Sequence, residues 1–208
     1  MRDLLIAHPI IPVIVIDNLE DAVPLAQALV AGGLNAIEVT LRTPAAISGI
    51  EQIIKYVPNV IVGSGTVCNE HQLSMSKDLG CKFAVSPGAT DDLLSCAVRN
   101  EMPLLPGVST ASEIMRGLDY GYNTFKFFPA EASGGADTLK AFFGPFKNVR
   151  FCATGGIGLH NCRSYLSLEN VLSVGGSWIS TKKLINDKRW GENELLAREA
   201  ASISEKEF

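Results

Sequence analysis

Residues 11–41 read IPVIVIDNLEDAVPLAQALVAGGLNAIEVTL. A β-branched run, Ile11–Ile16, gives way to a helix-like stretch, Glu20–Val30. Gly32-Gly33 then stops that stretch, and a second β-branched run follows, Ala36–Leu41. This is a strand–helix–strand unit, and such units build parallel sheets. The pattern repeats. Further strand-like runs are Val60–Val62, Phe83–Val85, Pro103–Leu105, Thr124–Phe128, Val149–Ala153 and Val171–Val174. Their starts, counted from Ile11, are 25, 24, 23, 20, 21, 25 and 22 residues apart. Helix-like stretches lie between them: Ala45–Tyr56, Glu70–Leu79, Asp91–Arg99, Ala111–Leu118, Asp137–Phe143 and Cys162–Leu166. Eight units predict a closed α/β structure, a (β/α)8 (TIM) barrel, at the short end of that fold's length range. An open doubly wound sheet is the alternative, but no G-x-G-x-x-G follows the first strand. Asn18, Thr43, Asn69, Thr90 and Thr110 are predicted N-caps, with Pro44 in a first turn; Gly80 and Gly121 suit helix ends.

The whole chain, residues 1–208, reads as a single domain with a short N-terminal cap at Arg2–Ala7. A C-terminal helical segment runs from Trp178 to Phe208, with Leu195–Ser204 its clearest helix. Its 208 residues are 47% apolar and 19% charged, a globular composition able to bury about 70% of the unfolded surface. A net charge of −4 argues against nucleic acid as a partner. The apolar run Ile10–Ile16 is too short for a membrane span and contains Pro12. Five cysteines, at 68, 81, 96, 152 and 162, show no zinc or redox spacing. They read as small buried hydrophobes of a reducing, cytoplasmic compartment. His8, His71 and His160 are scattered with no metal spacing, so no metal or other cofactor is expected.

In such a barrel, chemistry belongs at the C-terminal ends of the strands. The second strand, Ala36-Ile37-Glu38-Val39-Thr40-Leu41-Arg42, alternates faces. Ile37, Val39 and Leu41 turn to the helices; Glu38, Thr40 and Arg42 turn to the barrel axis. Glu38 and Arg42 read either as a structural ion pair or as working groups. In the sixth strand, Phe125 and Phe127 pack outward, which directs Lys126 and Phe128 inward. Lysine is rarely buried without a reason. Desolvation favours its neutral amine, the form that attacks a carbonyl to make a Schiff base. A purely structural pair with Glu38 is the competing reading. Phe128 would give a small ketone an apolar wall. Thr154-Gly155-Gly156-Ile157-Gly158 and Gly175-Gly176-Ser177 follow the seventh and eighth strands, where these barrels commonly bind phosphate; tight turns are the plainer alternative. Thr66, after Gly63-Ser64-Gly65, can hydrogen-bond a carboxylate or carbonyl, though a turn explains it as well.

These segments resemble one family closely. Glu38-Val39-Thr40-Leu41-Arg42-Thr43, Gly65-Thr66-Val67, Ser86-Pro87-Gly88, Phe125-Lys126-Phe127-Phe128-Pro129-Ala130-Glu131, Thr154-Gly155-Gly156-Ile157 and Gly175-Gly176-Ser177-Trp178 are similar to the motifs of the 2-keto-3-deoxy-6-phosphogluconate (KDPG) and 4-hydroxy-2-oxoglutarate (KHG) aldolases. The resemblance runs from about residue 9 to about residue 200. It implies a metal-independent class I aldolase on a (β/α)8 barrel, commonly a homotrimer. Its small-molecule partners would be a phosphorylated 2-keto-3-deoxy sugar acid, pyruvate and glyceraldehyde 3-phosphate. Position by position, it makes Lys126 the Schiff-base lysine and Glu38 the general acid/base. Arg42 and Thr66 become the holders of the pyruvate carboxylate, and Thr154 a group near the aldehyde carbons. Gly155, Gly156 and Ser177 become the phosphate cradle. Two departures stand out: Ala153 precedes Thr154 where the family usually has proline, and Ile179-Ser180-Thr181-Lys182-Lys183 follows Trp178 where proline is also common. A phosphosugar isomerase or epimerase on the same barrel, and a non-catalytic sugar-phosphate sensor, are the competing functions.

Overall fold

The computed structural model of the protein describes residues 1–204. Nine strand segments follow one another: β1 (Ile10–Ile14), β2 (Ala36–Thr40), β3 (Ile61–Gly65), β4 (Phe83–Val85), β5 (Leu104–Leu105), β6 (Gly107–Val108), β7 (Thr124–Phe127), β8 (Arg150–Thr154) and β9 (Val171–Gly176). Ten helices accompany them: α1 (Arg2–Ala7), α2 (Ala22–Ala31), α3 (Ala46–Tyr56), α4 (Glu70–Asp78), α5 (Asp91–Arg99), α6 (Ala111–Asp119), α7 (Gly135–Phe143), α8 (Cys162–Leu166), α9 (Lys182–Asn186) and α10 (Trp190–Ser204). Every paired strand is parallel, in the order β5-β4-β3-β2-β1-β9-β8-β7-β6.

The two ends of that order are adjacent in the chain. Ala84 and Ser86 donate to the carbonyls of Pro103 and Leu105 at 2.8 and 3.2 Å. On the other side, Lys126 and Phe128 donate to those of Pro106 and Val108 at 2.9 and 3.1 Å. β5 and β6 therefore act as one broken strand that closes an eight-stranded barrel, as the repeat predicted. The expected single strand at Pro103–Leu105 is corrected to two segments. Pro106 has no N–H to donate. Gly107 passes close to β4's exit, where an added Cβ would lie 2.7 Å from the Ser86 carbonyl oxygen.

The core has two compartments. Outside the strands, Ile37, Val39, Phe125, Phe127 and Phe151 pack under the helices. Inside, Ile11, Phe83, Val85, Leu105 and Cys152 surround Leu5, which α1 inserts at the strands' N-terminal end. The N-terminal cap is thus a barrel plug. Burial pushes the Cys152 thiol up to about 11, so it is an inert packing group. Four cysteines are buried, but Cys68 is exposed, which corrects the expectation that all five are.

Helix signals hold unevenly. Asn69, Thr90 and Thr110 cap α4, α5 and α6 through their side chains. Asn18 instead donates to the Asp21 carboxylate at 3.2 Å, and the Thr43 hydroxyl donates to the Ile16 carbonyl rather than capping α3. Gly33, Gly80 and Gly121, with φ of 96°, 88° and 85°, end α2, α4 and α6. α10 begins at Trp190, earlier than the helix expected from Leu195, and packs against α2, where Gly32 leaves no room for a Cβ beside Ala197. Residues 205–208 of the expected C-terminal segment lie outside the described part.

Candidate active site

β2 and β7 lie on opposite sides of the barrel. Alternation within each points one charged side chain inward. Glu38 is 4% exposed and Lys126 6% exposed, among the most buried charges of the chain. Lys126 Nζ donates to Glu38 Oε1 at 3.4 Å, across 88 residues of sequence. The ring of Phe128 faces the ammonium, its centroid 5.1 Å from Nζ.

The neighbouring strand makes this possible. Thr40 pairs with Gly65 and Glu38 with Gly63, so Gly63 and Gly65 share the inward face of β3. A Cβ on Gly65 would lie 2.7 Å from Glu38 Cγ and 2.8 Å from Cδ; one on Gly63 would run into the Phe83 ring. The two glycines keep the volume that Glu38 and Phe83 occupy. The next residue, Thr66, has φ 58°, the left-handed region that a β-branched residue enters only under constraint from its surroundings.

A pocket of about 210 Å³ opens beside Phe128. Arg42, Thr154, Gly155, Gly156 and Ser177 line it, with Val13, Val15 and Ile157 as apolar wall. Arg42 does not reach it as a strand residue. β2 ends at Thr40, whose carbonyl accepts the Arg42 N–H at 2.8 Å, so the guanidinium is presented from a turn. Of the predicted site residues, Arg42, Phe128, Thr154, Gly155, Gly156 and Ser177 therefore meet in one pocket. Lys126 and Glu38 meet as a pair against Phe128, and Thr66 stands at the end of β3 next to Gly65, outside that pocket's lining. Gly155 and Gly156 have φ of 104° and 78°, so their turn requires glycine. Gly175 leaves room for Thr154, since a Cβ there would lie 2.6 Å from the threonine hydroxyl.

The KDPG and KHG aldolase family model matches residues 1–195. The chain belongs to this family. A 2-dehydro-3-deoxy-phosphogluconate aldolase of Dickeya dadantii is 51% identical over 201 residues, covering 97% of this chain and 94% of its own. The crystal structure of the Legionella pneumophila KDPG aldolase, with pyruvate captured at low pH as a covalent carbinolamine, superimposes with a TM-score of 0.93. It is 48% identical and covers 95% of this chain and 96% of its own. A Zymomonas mobilis KDPG aldolase structure with 3-phosphoglycerate gives 0.90 at 46% identity, covering 97% and 95%.

In this aldolase three residues support the site in ways that no motif shows. Asn161 holds the glycine loop from within: its side chain accepts from Gly158 N at 2.8 Å and donates to the Gly156 carbonyl at 3.0 Å. Tyr165 donates its hydroxyl to Glu131, and Gly156 passes so close to Glu131 that a Cβ would meet its Cγ at 2.6 Å. Burial and the Glu131 carboxylate both push the Tyr165 phenol up, so it remains a donor. The third is Gly65, and its signal was in the sequence. Gly63 and Gly65 are two apart beside a strand that carries an inward glutamate. Asn161 and Tyr165 sit on a loop and a short helix with no such periodicity. Among the described residues, no group of three or more His, Cys, Asp or Glu is placed to hold a metal ion. No described helix is long and apolar enough to cross a membrane.

Proposed function

We propose that the chain is a class I aldolase that cleaves 2-keto-3-deoxy-6-phosphogluconate to pyruvate and glyceraldehyde 3-phosphate, and 4-hydroxy-2-oxoglutarate to pyruvate and glyoxylate. The observation that carries the reading is the buried Lys126–Glu38 contact at 3.4 Å, a nucleophile and a base within proton-transfer reach. Family membership and the carbinolamine held by the Legionella pneumophila relative support it.

The Lys126 amine adds to the substrate ketone, and loss of water leaves an iminium. Glu38 takes the C4 hydroxyl proton. The C3–C4 electron pair flows into the iminium, which gives an enamine and frees the aldehyde. Glu38 returns the proton to C3, and water hydrolyses the new iminium to release pyruvate and the amine. Arg42 and Thr66 hold the pyruvate carboxylate, Arg42 as a guanidinium fork. Phe128 walls the ketone. Thr154 faces the aldehyde-derived carbons, and Gly155, Gly156 and Ser177 receive the phosphate. The proposal extends to one domain spanning residues 1–208 and to a cytoplasmic homotrimer, whose assembly light scattering reads directly.

The test is intact mass after incubation with pyruvate and borohydride, followed by peptide mapping. One reduced pyruvyl adduct at Lys126, absent in Lys126→Met, is expected. An adduct on another lysine, or none, overturns the assignment and favours an isomerase in which Lys126 is only a charge.

A further inference from the structure

The cradle proposed for the phosphate is made of backbone and one hydroxyl. Among the described residues, the only charged one lining its pocket is Arg42, which the proposed mechanism uses for the carboxylate at the other end of the substrate. Ser177 also lines a second, larger pocket of about 420 Å³ that shares Val13, Val15 and Ile157 with the first. The two pockets are therefore neighbours across Ser177. The second contains Lys182 and Asp17, joined by an ion pair at 2.8 Å. The Lys182 side chain is 75% exposed, so the pair is screened by water and weakly held. Two further residues of the same wall, Ser180 and Trp178, carry a buried hydroxyl and a buried indole N–H without a partner among the described residues. The wall thus carries a cation beside the cradle, and one carboxylate already competes for it. A phosphate carries about twice the charge of a carboxylate, and three acceptor oxygens, so it is the stronger competitor for that cation.

We propose that Lys182 is a specificity-determining residue for phosphorylated substrates. It exchanges Asp17 for the substrate phosphate seated at Ser177, and Asp17 holds it when no anion is bound. The inference rests on the reading of the Ser177 loop as the phosphate site.

The experiment is steady-state kinetics on 2-keto-3-deoxy-6-phosphogluconate for Lys182→Met, Asp17→Asn, the double variant and Ser177→Ala, at two salt concentrations. Lys182→Met is expected to raise KM about threefold to tenfold, to leave kcat within about twofold and to weaken the salt dependence of KM. Asp17→Asn is expected to lower KM, because the competitor is gone. That gain should vanish in the double variant, which then behaves as Lys182→Met. An unchanged KM in Lys182→Met, or a gain in Asp17→Asn that persists without Lys182, overturns the proposal. If Ser177→Ala raises KM while Lys182→Met does not, the phosphate loop stands and the lysine exchange falls. If neither raises it, the reading of the loop itself falls.

Discussion

Gly65→Ala should disable the acid/base step while leaving the nucleophile in place. The added methyl would lie 2.7 Å from Glu38 Cγ and 2.8 Å from Cδ, with Oε1 closer still. Carbon atoms settle at about 3.5–4.0 Å, so the carboxylate must withdraw by roughly 1 Å. The backbone of β3 is held on both sides by β2 and β4 and cannot give way instead. A misplacement of that size costs about 100-fold in rate, the lower end of the 10²–10⁴-fold expected for losing a positioned acid/base altogether. Overpacking should also cost about 1–3 kcal/mol of stability, which a thermal melt reads separately. The assay is exchange of the pyruvate methyl protons with deuterated water, followed by proton NMR. It requires the enamine and a base but no aldehyde. Exchange should fall about 100-fold in Gly65→Ala and at least as far in Glu38→Gln. Both variants should still be trapped on Lys126 by borohydride. A folded Gly65→Ala protein that exchanges at the parent rate would refute the reasoning, because the carboxylate would then act from a place other than the one it occupies.

Ser177→Ala should weaken the phosphorylated substrate by a hydrogen bond to a charged group, about 1.5–3 kcal/mol, and scarcely affect 4-hydroxy-2-oxoglutarate. Equal losses in kcat/KM on both would make the loop a structural element only. Activity should survive EDTA, since the iminium formed on Lys126 is the electron sink and Glu38 the base; a loss restored by zinc or magnesium contradicts that chemistry. Burial lowers the His8 pKa from 6.5, so the folded state disfavours the imidazolium. That contribution to stability is present above pH 6.5 and is lost as the pH falls through that value toward the folded pKa. His8→Gln should flatten the corresponding part of the melting temperature against pH, and an unaltered slope would remove His8 as its source.

Strand–helix repetition was legible because β-branched runs and capping residues are local signals, and the inward turn of Glu38 and Lys126 follows from alternation alone. What stayed hidden depends on partners distant in sequence. The break at Pro106 shows only once β4 and β7 are seen to bond the same strand from opposite sides. The role of α1 as plug needs Ile11, Phe83, Val85 and Leu105 gathered around Leu5. Thr43 carries the composition of an N-cap, yet its hydroxyl serves the Ile16 carbonyl 27 residues away, because the turn that presents Arg42 places it there. Lys182 was legible as a cation after the last strand, in a segment near enough to the glycine turns to reach a phosphate. That Asp17 claims it is a fact of the closed barrel, which brings the exit of β1 beside the exit of β9.

The Glu38–Lys126 pair has little claim as a stabilising feature. Each group loses its hydration on burial. Their mutual contact, at 3.4 Å, is the only side-chain hydrogen bond that either makes among the described residues. Buried pairs of this kind commonly return less than their desolvation costs, and an apolar filling such as the one around Leu5 would serve the barrel better. Yet β3 carries two glycines toward the axis, one of which keeps space for the carboxylate, and each of those glycines weakens a strand that packing would otherwise favour. Phe128 adds a ring against the ammonium where an aliphatic side chain would fill volume as well. Three strands thus depart from what stability alone selects, and all three departures converge on one nitrogen and one carboxylate. Such convergence is expected where a fold gives up stability for chemistry, and it makes the pair, rather than the pocket beside it, the feature on which the functional reading turns.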